Sequence, residues 1–190
     1  MVIVWASASL AALPVVGALA ADGYVDTITV TVEPSCSIAT TGEDLDPAST
    51  YTAMLTNGES NTNIIGSTFT VTCNDYRGWE MYAVGSGNGS TVAVMDASTG
   101  ADDDIATGTT LDGTVSNWAF KVAGANGADI QGGYDKFSMI PTTKVKIAKG
   151  DTVTTTAKVT ATYGVGISST QEAGTYTGKV TYSLAQPATY

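Results

Sequence analysis

The chain has 190 residues, 43% hydrophobic and 14% charged, with a net charge of −10 and an isoelectric point near 4.1. That is room for one domain with a core plus a terminal segment, and the acidic balance argues against nucleic acid and anionic membrane surfaces as partners. Histidine is absent, which removes Ser-His-Asp and Cys-His catalysis and most zinc and copper sites.

Residues 1–21 carry no charge and end in Ala18-Leu19-Ala20, a small-x-small pattern of signal peptidase cleavage. Residues 1–20 have two possible fates: removal, leaving a domain over 21–190, or retention as a hydrophobic helix. A retained stretch of roughly 20 apolar residues is long enough to span a bilayer or pack inside a filament, with a kink at Pro14.

Residues 25–33 alternate polar with apolar side chains and predict the first strand. Ile28, Val30 and Val32 share one face, since side chains two apart point the same way. Such a strand needs cover, either from its own sandwich or from a neighbour's open edge. Residues 36–39 predict a short extended piece, 40–49 an acidic loop and 51–56 a strand ending at the turn Asn57-Gly58. Residues 67–73 and 78–84 predict a hairpin across 74–77. Short strands follow at 90–95 and 116–122, and the longest at 152–163 and 176–184. Thirty-one threonines and 21 glycines suit this reading of strands and turns. Many short strands at this spacing predict an all-β sandwich.

Cys36 and Cys73, the only cysteines, fall at strand ends in a chain read as exported, and pairing is expected. The chain-entropy model gives about 3–4 kcal/mol for a loop of this length. Charge is uneven: residues 1–120 hold 14 acids and one base, Arg77, while residues 121–190 hold 4 acids and 7 lysines. Complementary ends would favour head-to-tail joining of identical subunits.

Three ligand sites are candidates. The acidic turn Asp96, Asp102, Asp103, Asp104 and Asp112 offers the oxygen ligands that Ca²⁺ takes, although the spacing fits no EF-hand. Trp79, Tyr82, Trp118 and Tyr134 are candidates for a sugar platform, with core burial the default; spacing sets Trp79 and Tyr82 on opposite faces of their strand. Asn88-Gly89-Ser90 matches a glycosylation sequon. No Gly-rich loop leads into a helix carrying lysine, so a phosphate cradle is not expected. Carboxylate pairs remain the one route to hydrolysis, but the acids sit in turns, and no enzymatic activity is expected.

The run at 27–32 leading into Pro34-Ser35-Cys36, the strand 69–73 ending in Cys73, and Gly174-Thr175-Tyr176 with Val180-Thr181-Tyr182 resemble the chaperone–usher pilin and spore-coat-U superfamily. The closing strand also resembles WxL-type surface domains, although neither Trp79 nor Trp118 is followed by x-Leu. The pilin resemblance implies an immunoglobulin-like sandwich, incomplete in pilins, whose missing strand comes from a neighbour's N-terminal extension. The penultimate tyrosine of that family is not matched, since Tyr190 is terminal. The expectation is a secreted, non-enzymatic surface protein, a subunit of a fimbria-like filament or surface assembly. A monomeric adhesive or carbohydrate-binding module is the alternative, and a carboxylate hydrolase the third.

Overall fold

The computed structural model describes residues 29–30, 32–41, 53–87, 93–97 and 104–187. The chain divides into two units, residues 1–32 and 33–190. In the first, Thr29, Val30 and Val32 lie outside any strand, and the two valines are 78% and 75% exposed. Their alternation fits a strand, but a strand forms only against a partner backbone.

The second unit is all β among its described residues. Its strands are β1 (Cys36–Thr41), β2 (Ser60–Cys73), β3 (Trp79–Gly87), β4 (Asp96–Ala97), β5 (Ala106–Thr107), β6 (Asn117–Ala125), β7 (Asp129–Ile130), β8 (Val145–Gly150), β9 (Thr154–Gly166) and β10 (Tyr176–Ala185). They form two five-stranded sheets, ordered β1-β2-β9-β6-β5 and β4-β10-β3-β8-β7. All pairings are antiparallel except β5 with β6.

Alternation makes the core. Along β3, Trp79, Met81 and Ala83 are buried while Glu80, Tyr82 and Val84 are only partly covered. Phe69 and Val71 of β2, Phe120 and Val122 of β6, Ile147 of β8 and Val159 of β9 complete the apolar cluster. Tyr163 of β9 and Tyr182 of β10 join hydroxyls at 3.0 Å, and the Tyr182 ring lies 4.7 Å from that of Phe69, so polar tips meet inside an apolar layer.

The hairpin expected across 74–77 is instead a corner between sheets. β2 already has β1 on one edge and β9 on the other, so β3 has no place beside it and enters the second sheet. The corner is built by Asp75, Arg77 and Gly78. Asp75 is buried, and its carboxylate accepts from the Arg77 backbone N–H at 3.0 Å and from the guanidinium at 2.7 and 3.0 Å. Gly78 sits at φ +85°, and a Cβ there would lie 1.7 Å from the Gly150 carbonyl oxygen. Only glycine fits that turn.

Arg77's hydrogen bonds hold the Asp75 carboxyl below its ordinary value of 3.8. The charged form is favoured more in the fold than in the unfolded chain, so its stabilisation is complete above pH 3.8 and drains away as pH falls through the lower folded value. We expect the acid limb of a stability–pH profile to flatten in Asp75→Asn. A wild-type limb and a variant limb of equal slope below pH 4 would contradict this.

Other expectations shift. Residues 53–56 are not a strand, and Met54 is 95% exposed. β2 begins at Ser60, seven residues before the expected start, because the polar Asn61-Thr62-Asn63 run and Gly66 mask it; register shifts near 61–64, 65–68 and 71–73 absorb the irregularity. Of the expected strand at 90–95, residues 93–95 contribute only the isolated bridge from Met95 to Ile105, and pairing with β10 starts at Asp96. β8 lies where the sequence reading sets no element.

Candidate assembly edge

The disulfide is formed. Cys36 and Cys73 face each other in the β1–β2 ladder with Cα atoms 4.1 Å apart, at the first residue of one strand and the last of the other. The bond therefore clamps β1 to β2, its ladder partner among the described strands. A structural disulfide is the chemistry of an oxidising compartment. Among the described residues no helix is long and apolar enough to cross a membrane.

The candidate ligand sites separate. Trp79 and Trp118 are 1% and 4% exposed. Trp118 donates its indole N–H to the Ala93 carbonyl at 3.3 Å, beneath Gly178, where a Cβ would lie 2.6 Å from the indole ring. Tyr134 packs on Phe120 at 5.2 Å, and burial pushes its phenol pKa up. Tyr82 stands on the outer face of the second sheet, under the Lys144 ammonium at 4.7 Å, and donates to Glu80. Glu80 also accepts from Lys146 at 2.6 Å, the main cause of its lowered pKa. The four aromatics thus make no common platform: the tryptophans are core, and the outward tyrosine is engaged by charged neighbours.

The acidic turn is equally divided. Asp112 accepts from the Thr114 backbone N–H at 3.0 Å and hydroxyl at 2.6 Å, which lowers its pKa. Asp104 accepts from the Ala97 N–H at 3.3 Å. The Asp96 carboxylate lies against Gly87, 2.5 Å from where a Cβ would stand. Asp102, Asp103 and the sequon at Asn88-Gly89-Ser90 lie outside the described residues. Among those described, no three acid, histidine or cysteine side chains converge.

The feature that stands out is the border of the second sheet at β10 and β4. β4, β5 and β7 are two residues long, too short to template another chain. β10 is different. β4 pairs with it only at Tyr176 and Thr177, while β3 holds its other side from Gly178 to Ala185. Among the described strands, β3 and the two-residue β4 are the ladder partners of β10. Val180, Tyr182 and Leu184 pack against the core yet stay only partly buried, as do Cys36 and Ile38 of β1, which lies near β10. Of the expected assembly residues, Val30 and Val32 are exposed, and Ile28 lies outside the described residues.

The sequence reading identified the strand 176–184 but not its place between β3 and the two-residue β4. No local pattern marks an edge, because a strand buries the same alternate face whether it has one neighbour or two. No family model and no curated protein matches this chain.

Proposed function

We propose that this chain is a non-enzymatic, cell-surface structural subunit that polymerises when residues 25–32 of one copy pair with β10 of the next. The observation that carries the reading is that β10 has a full ladder with β3 but, among the described strands, only the two-residue β4 besides, with Val180 and Leu184 partly buried. The supply of a matching strand is the second support: Ile28, Val30 and Val32 are expected to form one apolar face, and Val30 and Val32 are exposed. Pairing would cover both surfaces at once.

Strand order adds to this. An immunoglobulin-type sandwich sets strands A-B-E-D against C-F-G. Here β1-β2-β9-β6 and β10-β3 take the places of A-B-E-D and F-C, and the place of G beside β10 holds only the two-residue β4. The likeness is incomplete, since β8 follows the D-like strand in the chain instead of preceding it. The disulfide and the long apolar leader fit export to the surface.

The test is Ile28→Asp with Val30→Asp. The wild type is expected to form filaments that pellet at high speed and show in negative stain. The variant is expected to stay monomeric with an unchanged thermal transition, and a synthetic peptide of residues 25–33 to raise that transition by capping β10. A wild type that remains monomeric at high concentration, with amides 25–32 protected from hydrogen exchange, would show that the strand closes its own sandwich.

A further inference from the structure

We infer that the tip of the corner between β2 and β3, Tyr76 with Arg77, is a contact site for a neutral sugar ring, the pyranose of a surface glycan. The site uses neither residues 25–32 nor β10, so its failure and the failure of the assembly reading are separate results.

Tyr76 is 82% exposed, and it is the only aromatic among the described residues that is exposed rather than buried or half-buried. One exposed side chain ordinarily needs no explanation. What distinguishes Tyr76 is its support. The Gly78 N–H donates to the Asp75 carbonyl at 2.9 Å and closes a four-residue turn with Tyr76 and Arg77 at its centre. Before the turn, the Asn74 N–H donates to the Ser35 carbonyl at 3.0 Å and its side-chain amide to the Glu33 carbonyl at 3.3 Å, and Cys73 is held by the disulfide. After it, Trp79 is 1% exposed. Folding has thus already fixed the backbone of the tip, and a ligand would order little beyond the Tyr76 ring itself.

A second turn runs alongside. Cys73 pairs with Thr154 of β9, and Trp79 pairs with Gly150 of β8. The connection 151–153 therefore crosses between the sheets beside the 74–78 corner, and a Cβ on Gly78 would lie 2.9 Å from the Asp151 Cα. Val153 on that connection is 55% exposed, which puts a second apolar side chain on the adjoining turn.

The chemistry of the tip is an aromatic face beside a fixed fork. The Arg77 guanidinium carbon stands over the Tyr76 ring, 5.9 Å from its centroid. Packed carbon atoms approach to roughly 3.5–4.0 Å, so the ring is flanked and not sealed. Of the five guanidinium N–H donors, Asp75 takes one on Nε and one on Nη2, and the side chain is 24% exposed. The other donors are within the chain's reach of a ligand laid on the ring. The C–H face of a pyranose suits the ring, and two adjacent hydroxyls suit the fork. Charge decides between a neutral and an acidic sugar. The guanidinium is matched by Asp75 at 2.7 Å, Asp151 is matched by Lys149 at 2.9 Å, and the whole chain carries −10. What the tip offers is hydrogen-bond donors, not surplus positive charge to draw an anion against that field.

NMR titration of the full-length protein tests the site. The probes are methyl glucoside, methyl galactoside, methyl mannoside and N-acetylglucosamine, to about 50 mM, since one ring contact binds in the millimolar range. At least one is expected to shift the Tyr76 amide and the Arg77 Nε–H signals saturably. Tyr76→Ala is expected to weaken that binding at least about 10-fold without moving the thermal transition, and Tyr76→Phe to keep it. Arg77→Lys keeps the charge beside Asp75 and loses the fork; it is expected to weaken binding about 3- to 10-fold, with the thermal transition confirming that the variant is folded. No saturable shift at Tyr76 or Arg77 with any of the four sugars would overturn the inference. Binding that survives Tyr76→Ala would place the sugar elsewhere and overturn it equally. Unchanged affinity in Arg77→Lys would overturn the role of the fork, and tighter binding of glucuronate than of methyl glucoside would overturn the neutral ligand.

Discussion

Phe120→Ala is expected to lower the unfolding free energy by about 3–5 kcal/mol, the range for deleting a buried aromatic ring. Phe120 is fully buried on β6, opposite Tyr163 of β9. Its backbone also pairs outside the main ladder, with Ser138, which carries the 131–140 segment over the sheet. The ring meets Tyr134 from that segment at 5.2 Å. Truncation would lose the ring's transfer free energy and leave a cavity that strands hydrogen-bonded on both sides cannot close. For a domain of this size the loss corresponds to a fall in Tm of about 10 °C. Denaturant titration decides: a shift below about 1.5 kcal/mol, with unchanged m, would mean that Tyr134 and its segment collapse into the space. Phe120→Leu, which keeps most of the volume, is expected to cost less than half as much.

What was legible in the sequence is what depends on alternation. Trp79, Met81 and Ala83 alternate with Glu80, Tyr82 and Val84, and β3 forms there; Trp118, Phe120 and Val122 mark β6 in the same way. The opposite faces of Trp79 and Tyr82, and the partnership of the two cysteines at strand ends, also follow from local pattern and compartment. What was not legible depends on residues far apart. Asn74-Asp75-Tyr76-Arg77 reads as a hairpin turn, since its composition is that of any turn. It becomes a corner because β9, eighty residues later, occupies the edge of β2. β8 was hidden because Lys146 and Lys149 dilute its apolar run and a register shift at Met81–Tyr82 brings Ile147 and Ala148, side by side, into the buried layer.

The candidate site divides along the same line. The donor half is written locally, as three apolar residues at even spacing in 28–32. The acceptor half is not, because whether β10 has a neighbour at 178–185 is settled by the two-residue length of β4 and by the sheet order. The aromatic and acidic candidates show the converse. Tryptophans and aspartates are chemically suited to ligands, but Trp118 is capped by Gly178 and Asp112 by Thr114, and neither engagement can be read from spacing.

Cys36→Ser with Cys73→Ser is expected to destabilise the domain by about 3–4 kcal/mol, through the entropy that the unfolded chain regains across a separation of 37 residues. The position of the bond adds a local signature. β1 has six residues, pairs only with β2, and its inward Ile38 is only partly buried. Without the bond, β1 is held by its ladder to β2 and that partial burial, so it is expected to open before the rest of the sandwich. Hydrogen exchange on the reduced or doubly substituted protein should therefore show amides 36–41 losing protection far more than those of β3, β6 or β9. If protection falls uniformly, the bond acts only on the unfolded chain. If β1 alone is affected and the global unfolding free energy stays within 1 kcal/mol of wild type, the loop-entropy account fails instead.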